Sequence, residues 1–376
     1  MSDGTIRPLF IAPFGELGGS EMVMLRIARS LDSRFAPRAL VLTRGPLAER
    51  LEDAGVPTQV VHLPGKKGVL GMPALARRLG RELRGEQISF IHANQAKAGI
   101  LGAMLAPRLR VPLLWMKHDH VFDGRPARAL ASRCDRVVCV SRAMAAQFEP
   151  RFADRVSVVY PGVDIPARVA PLPELPHVTS VGRIDPAKGS VELLGAVALL
   201  RDRGLDVRVT IAGPTDRVFS EHGSELRELA DRLGLGDRAE IGWVDDLDEL
   251  YARSSVVALA SRERPSGAPS EGAPTVLIEG MAHGRPVVAP DEAGIAELVG
   301  DAGTLVADRT AAGFAAALEP YLRDHAFAED VARRARERAQ RLFAFEHGLE
   351  TMTELYVELA ALSVGGSRRR RGRAAA

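Results

Sequence analysis

Short apolar runs alternate with amphipathic stretches along most of the chain. Seven runs in the first half predict β-strands: RPLFIAP, RALVLTR, TQVVHL, ISFIHAN, VPLLWMKH, RVVCVS and VSVVYPG. Between several of them lie stretches with apolar residues at helical spacing, such as EMVMLRIARSL, LAERLEDAG, MPALARRLGRELRG and AGILGAMLAPRL. This alternation is typical of an α/β domain whose parallel sheet is covered by helices on both faces.

A proline-rich stretch, PGVDIPARVAPLPELP, interrupts the pattern and predicts a linker between two domains. The alternation then resumes with the predicted strands HVTSVGRI, VRVTIAG, AEIGWV and VVALAS. A chain of 376 residues is also long for one core. We therefore predict two doubly wound Rossmann-like domains, residues 1–164 and 165–345. The last helical pattern, in residues 346–363, predicts a helix that crosses back to pack on the first domain.

Composition narrows the class of protein. Hydrophobic residues make up 46% of the chain and charged residues 26%, as in soluble globular proteins. The formal net charge of +2 is near balance, so we expect no nucleic acid partner. Cys134 and Cys139 are too few for a disulfide framework or a four-cysteine zinc site. We expect both to be small buried hydrophobic residues.

Both ends of the chain bear on localisation. MSDGTIRPLFIAPFG lacks the basic and then apolar layout of a signal peptide, and no run approaches the roughly 20 apolar residues that span a bilayer. We therefore expect a cytoplasmic protein. Residues 364–376 contain glycines and a run of arginines, which predicts a disordered, solvated tail. Peripheral contact between this basic tail and anionic lipid head groups is the alternative.

Polar residues follow the predicted strands at the points where the strands end. In open parallel sheets, ligands bind beyond the carboxyl ends of the strands, in the loops that enter the helices. VGRIDPAKG follows a strand and places Gly182, Arg183 and Lys188 before a helix that begins near Ser190. Two cations beside a helix N-terminus suit a diphosphate, although a solvated polar loop would have the same composition.

The segment SEGAPTVLIEGMAHGRPVVA contains two glutamates with seven residues between them. Pro274 favours the first turn of a helix, predicted from Thr275 to Gly284, whose first N–H groups would form a second anion site. Glu271 precedes this helix and could instead serve the helix dipole. Glu279 could be a surface residue, but it lies among apolar residues, where an unpaired charge is costly. Because a carboxylate can bind a vicinal diol, Glu279 is a candidate for holding a ribose and Glu271 for holding a second sugar.

Two loops of the first domain contain further candidates. In FGELGGS, Gly18 and Gly19 would let the backbone approach a ligand closely and Ser20 would cap the next helix, although a bare turn needs no ligand. WMKHDHVFD ends another strand with His118 and His120. A metal cluster is disfavoured because no distant cysteine pair completes it. One histidine bonded to a sugar is favoured, with a structural histidine as the alternative.

Together these motifs resemble the retaining glycosyltransferases of the family-4, group-1 type. The resemblance rests on VGRIDPAKG, on the spaced glutamates of EGAPTVLIE, and on GMAHGRPVVA. It extends to GGSE, the HD pair of WMKHD, CVSRAM, VVYPGVD and IAGP, so it covers most of the chain. It implies the GT-B fold, with two Rossmann-like domains facing a cleft. It also implies transfer of a sugar, with retention, from a nucleotide-diphosphate donor to an acceptor hydroxyl.

The resemblance implies a role for each candidate residue. Arg183 and Lys188 would neutralise the diphosphate, Glu271 and His118 would contact the donor sugar, and Glu279 would hold the ribose. The other implied donor contacts are Gly18, Gly19, Gly182, Gly272, Ala273, Pro274, Thr275 and Val276. No metal or other cofactor is expected, because the cations and the helix start do the work of a metal.

The resemblance leaves the substrates open. The acceptor could be a carbohydrate, a lipid-linked sugar or a small molecule. The loop RPSGAPS before Glu271 is longer than is usual in the family, which leaves the choice of donor sugar open. Two other functions remain as alternatives: a sugar-nucleotide epimerase of similar fold, which needs no acceptor, and a non-catalytic sugar-nucleotide-binding protein.

Overall fold

A computed structural model of the chain describes residues 4–62, 70–148, 150–214, 221–263, 267 and 269–373, with side chains as far as residue 363. The chain divides into two compact units. The first unit comprises Met1–Pro161 and Glu346–Ala376, and the second comprises Gly162–Phe345. The division at Pro161 falls three residues before the boundary at residue 164 that the sequence predicts.

The first unit contains a seven-stranded parallel sheet with the strand order β3-β2-β1-β4-β5-β6-β7. Its strands are β1 Pro8–Ala12, β2 Arg38–Val41, β3 Thr58–Val60, β4 Phe90–Asn94, β5 Leu113–Lys117, β6 Arg136–Cys139 and β7 Val156–Val158. Its helices are α1 Gly19–Ser30, α2 Pro46–Asp53, α3 Met72–Glu82, α4 Gln95–Leu109, α5 Arg125–Ala131 and α6 Arg142–Ala145, and later α14 Phe345–Arg373. Strands β1, β4 and β5 are buried at every position, as expected for central strands covered on both faces.

The second unit contains a six-stranded parallel sheet with the strand order β10-β9-β8-β11-β12-β13. Its strands are β8 His177–Val181, β9 Arg208–Ala212, β10 Ala239–Gly242, β11 Val256–Ala258, β12 Val287–Pro290 and β13 Gly303–Val306. Its helices are α7 Ser190–Asp202, α8 His222–Arg232, α9 Leu247–Ala252, α10 Thr275–Ala282, α11 Ala293–Val299, α12 Ala311–Arg323 and α13 His325–Leu342. Two doubly wound α/β units are therefore present, as the sequence predicts.

The strand order in each sheet places a ligand site before any side chain is considered. In the first unit the order reverses between β1 and β4, and in the second unit it reverses between β8 and β11. Ligands of doubly wound sheets bind at such switch points, where the loops after the two strands diverge. The loops after β1 and β4, and those after β8 and β11, are therefore the places where each unit can bind a ligand.

The proline-rich stretch at residues 161–176 is held by hydrogen bonds from side chains of the second unit. Guanidinium Nη2 of Arg336 donates to the carbonyl of Pro166 at 2.6 Å, and Nη2 of Arg285 donates to that of Ala170 at 2.7 Å. Arg285 is fully buried. Side chains of the second unit therefore hold this predicted linker, because they satisfy backbone carbonyls that water would otherwise have to satisfy.

The C-terminal helix α14 completes the first unit. The hydroxyl of Tyr356 lies 2.6 Å from Nδ1 of His92, and the Tyr356 ring packs 4.9 Å from that of Phe90. Burial lowers the pKa of His92 to about 3, with a smaller effect from His118. The helix continues to Arg373, although the sequence predicts disorder from residue 364. Arginine is a strong helix former, so an arginine run does not by itself end a helix.

Other sequence predictions concern single features. Both cysteines are buried and free, and burial raises the pKa of both thiols, that of Cys139 to about 12. Helix α10 ends at Ala282, before the predicted end at Gly284, because Gly284 adopts a left-handed φ of 65°. No helix in the described part of the chain has the length and apolar character that crossing a bilayer requires.

Candidate functional site

The loop after β8 carries the two candidate cations. It runs from Gly182 through a short 3-10 turn, Pro186–Lys188, into α7. The carboxylate of Asp185 caps this turn by accepting a backbone hydrogen bond at 2.9 Å. Gly189 has a φ of 68°, and a Cβ there would overlap the carbonyl oxygen of Ala260. Only glycine therefore lets this loop lie directly against the chain that leaves β11.

Lys188 and Glu271 form an ion pair that joins two predicted site residues from different loops. Nζ of Lys188 lies 2.5 Å from Oε1 of Glu271, and the side chains are only 25% and 16% exposed. The hydroxyl of Ser261 donates to the same carboxylate oxygen at 2.6 Å. Arg183 is on the Lys188 loop, with its guanidinium 3.3 Å from the Asp185 carboxylate and 55% exposed. The two cations thus share one loop, and Lys188 is paired with Glu271.

The segment after Glu271 leads directly into α10. Gly272 and Ala273 form a bend, Pro274 is the N-cap, and the helix begins with Thr275 and Val276. No side chain caps the helix start. The first N–H groups of a helix have no partner within the helix, so this start can bind an anion. The sequence-predicted backbone contacts from residue 272 to 276 are therefore contiguous with Glu271.

Glu279, five residues into α10, is held by a buried tyrosine. The hydroxyl of Tyr251 donates to Glu279 Oε2 at 2.8 Å, and Tyr251 is 1% exposed. Burial raises the pKa of Tyr251 well above 10, and the nearby Glu279 charge adds to the effect. The ring of His283 lies 4.7 Å from the tyrosine ring, and its Nδ1 lies 2.8 Å from the Glu279 carbonyl. Glu279 is therefore a partly buried, oriented carboxylate and not a solvated surface residue.

In the first unit, the glycine turn after β1 differs from the prediction. Gly18 is the N-cap of α1 and Gly19 is its first residue, so Ser20 lies inside the helix and does not cap it. The Ser20 hydroxyl instead donates to Oε2 of Glu21 at 2.7 Å. Burial raises the pKa of the Glu21 carboxyl, an effect that this hydrogen bond partly offsets. A Cβ at Gly18 would lie 2.8 Å from Oε2, so Gly18 leaves room for the buried carboxylate.

The ends of β4 and β5 connect to this turn. Nε2 of His118 lies 2.7 Å from Oδ1 of Asn94, and Nδ2 of Asn94 donates to the carbonyl of Ser20 at 3.2 Å. Burial lowers the pKa of His118 to about 3, and the ammonium of Lys117 adds to the effect. His118 is therefore neutral at physiological pH. With Nε2–H donating to Asn94, the ring carries its proton on Nε2.

Gln95 bonds to the same cluster, and its own backbone conformation is strained. It is the first residue of α4 and has a φ of 66°, which is unusual for a residue with a side chain. Its amide donates to the hydroxyl of Ser20 and, at 3.2 Å, to Oε1 of Glu21. Such strain costs on the order of 1–3 kcal/mol and persists where surrounding contacts enforce it, often at functional sites.

His120 belongs to a different cluster from His118. Its Nδ1 lies 2.7 Å from Oδ2 of Asp123, whose Oδ1 lies 2.6 Å from Nζ of the buried Lys117. Although burial acts to raise it, hydrogen bonds from Lys117, Gln147 and His120 hold the pKa of Asp123 below its usual value. Among the residues that the structure describes, no group of three or more His, Cys, Asp or Glu side chains could hold a metal ion.

The structure brings together some of the predicted site residues. Lys188 and Glu271 are in direct contact, and Gly182 and Arg183 share the loop of Lys188. Glu279 lies further along the helix that follows Glu271. Within the first unit, Gly18 and Gly19 begin α1, and His118 bonds to Asn94, which bonds to Ser20 of that helix. Sequence reasoning missed further polar residues in contact with these groups: Glu21, Asn94, Gln95, Tyr251, Ser261, Glu292 and Arg309. Four of them, Gln95, Ser261, Glu292 and Arg309, lie within three residues after the end of a strand, which is the signal that could have found them.

Two family models match the chain in succession. The model described as Glycosyltransferase Family 4 matches residues 17–166, and the model described as Glycosyl transferases group 1 matches residues 175–324. The first match lies mainly in the first unit and the second match lies within the second unit. The D-inositol 3-phosphate glycosyltransferase of Nocardia farcinica is 28% identical in an alignment that covers 93% of this chain and 86% of that protein.

Solved structures share the fold. The structure of Anabaena HepE in complex with UDP and glucose superimposes with a TM-score of 0.79 at 24% identity, covering 94% of this chain and all of that one. A glycosyltransferase from Rickettsia africae superimposes with a TM-score of 0.80 at 18% identity, covering 94% of this chain and 98% of that one. The two parallel sheets with their flanking helices are those of the GT-B fold.

Proposed function

The chain belongs to the glycosyltransferases of group 1 and family 4, which take nucleotide sugars as donors, and from that premise we propose that it transfers the sugar with retention and without a metal ion. The observation that carries this proposal is the Lys188–Glu271 ion pair at 2.5 Å. It puts a cation and a carboxylate at the point where the β8 loop meets the segment leading into α10. A diphosphate and the sugar attached to it need these two groups side by side.

The chemistry follows from where charge develops. The bond between the anomeric carbon and the β-phosphate oxygen breaks, the acceptor oxygen forms the new glycosidic bond, and the acceptor proton passes to the leaving phosphate. Negative charge therefore grows on the phosphate, where Lys188, Arg183 and the start of α10 are assigned to stabilise it. Loss of one such preorganised group typically costs about 10²–10³ in rate. These groups take the place of a metal ion in the proposal.

Retention is proposed because the motifs resemble those of retaining enzymes, and no carboxylate is assigned as a nucleophile. Glu271 already accepts hydrogen bonds from Lys188 and Ser261, which suits a group that binds sugar hydroxyls. The leaving phosphate then acts as the base on the same face of the sugar that it leaves. In the first unit, the neutral His118 is assigned to the donor sugar as a hydrogen-bonding group.

One contact supports a ribonucleotide donor, and the relatives suggest a polar acceptor. Tyr251 orients Glu279, which suits a carboxylate that binds the two hydroxyls of a ribose. We take a uridine diphosphate sugar as the first donor to test, because a structural neighbour binds UDP. The acceptor is proposed to be a polyol or sugar. Inositol phosphate is the first compound to test, because the related enzyme from Nocardia farcinica is a D-inositol 3-phosphate glycosyltransferase. Lipid-linked sugars are the second class.

A two-step experiment tests the proposal. A thermal-shift panel of UDP-, GDP-, ADP- and dTDP-sugars identifies the donor, since a ligand at about 100 times its Kd stabilises the fold by about 2.7 kcal/mol. Incubation of that donor with an acceptor panel in EDTA follows, and NMR of the product gives the anomeric configuration. The sugar in the product should have the same anomeric configuration as the sugar in the donor. Inversion, a requirement for metal, epimerised donor without acceptor, or binding without turnover would each contradict it.

A further inference from the structure

One buried carboxylate beside the proposed donor site has no part in the roles assigned so far. Glu292 lies two residues after the end of β12 and directly before α11, and its side chain is 7% exposed. It is the N-cap residue of α11, but its side chain does not cap that helix. A carboxylate withdrawn from water needs partners, and those of Glu292 lie elsewhere.

The segment that ends in Glu271 supplies these partners. The backbone N–H of Ser270 donates to Glu292 Oε2 at 2.9 Å, and the Ser270 hydroxyl donates to Oε1 at 2.8 Å. The N–H of Glu271 donates to Oε2 at 3.4 Å. Because two successive N–H groups point at one carboxylate, the backbone that carries the Glu271 side chain is held in one orientation.

Arg309 connects this contact to the other end of the same loop. Its Nη1 lies 2.8 Å from Oε1 of Glu292 and 3.5 Å from the carbonyl oxygen of Ser261. Ser261 in turn donates its hydroxyl to Glu271. The start and the end of the loop between β11 and α10 are therefore tied together. Arg309 also neutralises Glu292, whose charge would otherwise repel the carboxylate of Glu271.

We propose that Glu292 and Arg309 are positioning residues that fix the place of the Glu271 carboxylate. The inference rests on the proposed function, in which Glu271 contacts the donor sugar. A residue at the end of a long loop is poorly placed unless specific contacts order it. The four contacts of Glu292 make the position of Glu271 independent of the length of the preceding loop. Misplacement of a reacting group by about 1 Å can cost about 10²-fold in rate.

Glu292→Ala in the full chain tests this inference. The kcat at saturating donor should fall about 10- to 100-fold, because the Glu271 backbone is no longer held. The Kd for the bare nucleoside diphosphate, measured by calorimetry, should stay within about threefold of the unmodified protein, because Arg183, Lys188, Glu279 and the start of α10 are all retained. Asp291→Asn is the matched control, since it removes an exposed carboxylate one residue away. Its kcat and Kd should be unchanged.

A double variant shows whether Glu292 acts through Glu271. If it does, Glu271→Gln with Glu292→Ala should be no slower than Glu271→Gln alone. Arg309→Met should reproduce the fall in kcat, which keeps the test open if Glu292→Ala folds poorly. Additive losses in the double variant, an unchanged kcat in Glu292→Ala, or parallel losses of kcat and nucleotide binding would overturn the inference. An unchanged kcat in Glu271→Gln would overturn the assigned role of Glu271 itself, and the inference with it.

Discussion

Replacement of Glu271 by glutamine should strengthen the binding of a nucleoside diphosphate that carries no sugar. Lys188 is paired with Glu271 at 2.5 Å. A diphosphate that binds Lys188 has to compete with this carboxylate. Glutamine keeps an oxygen that can accept the hydrogen bond from Ser261 but has no charge, so the ammonium becomes available to the phosphate.

The magnitude follows from the exposure of the pair. A hydrogen bond to a charged group contributes about 1.5–3 kcal/mol, and partial exposure reduces this value. Lys188 is 25% exposed and Glu271 16% exposed. We therefore expect a gain of about 1–2 kcal/mol, which corresponds to a Kd about 5- to 30-fold lower for the free diphosphate. Transfer should nevertheless be slower, because the carboxylate assigned to the donor sugar is lost.

Isothermal titration calorimetry with UDP at fixed ionic strength measures the effect. Glu263→Gln is the matched control, because it removes an exposed charge from the start of the same loop and should leave the Kd almost unchanged. Glu279→Gln should have the opposite sign and weaken binding, since Glu279 is assigned to the ribose. Equal or weaker UDP binding in Glu271→Gln would refute the reasoning, and equal tightening in Glu263→Gln would reduce it to a general charge effect.

Three further predictions concern single residues. Tyr251→Phe should raise the Kd for UDP about 3- to 10-fold and the Kd for 2′-deoxy-UDP less, because Glu279 loses the hydrogen bond that orients it; an unchanged ratio of the two Kd values would contradict this. Gly189→Ala should lower the free energy of urea unfolding by more than Gly204→Ala, because both residues have a positive φ but only a Cβ at Gly189 would overlap a neighbour; equal losses would show that the overlap is relieved. The pKa of His92 is about 3 in the fold against 6.5 for the free side chain, so its contribution to stability is complete above pH 6.5 and is lost as the pH falls from 6.5 towards 3. The loss of stability per pH unit between pH 6 and pH 4, measured by denaturant titration, should therefore be smaller by about 1.4 kcal/mol in His92→Phe, while His118, whose pKa is also lowered, contributes equally in both proteins; an identical slope in both proteins would refute this assignment.

Much of the fold could be predicted because central strands of a parallel sheet are buried on both faces. FIHAN in β4 and LLWMK in β5 are apolar or fully buried along their whole length, so they stand out as runs. Strand β13 does not, because Gly303, Thr304 and Leu305 are only partly buried at the edge of the sheet. A short edge strand has no periodic pattern that would distinguish it from a loop.

The site was predictable as a set of loops but not as a set of contacts. The rule for carboxyl ends of strands points to the loops of Lys188 and Glu271, yet it does not say that the two side chains meet. Arg285 illustrates the same limit, because a single arginine before VVAP gives no sign that it is fully buried. Such partners depend on which backbone carbonyls and carboxylates the tertiary fold brings near, and a local pattern does not record them.

The discontinuous first unit has a consequence for biosynthesis. A ribosome delivers Met1–Pro161 long before Glu346–Ala376, so the surface that Tyr356 covers stays open while the whole of Gly162–Phe345 is made. During this interval Phe90 and His92 lack their native cover. The second unit, whose residues are contiguous, can complete its fold first. Termination of translation before residue 346 would therefore release a chain whose second unit is folded and whose first unit exposes apolar surface. Chaperones and proteases recognise such a chain.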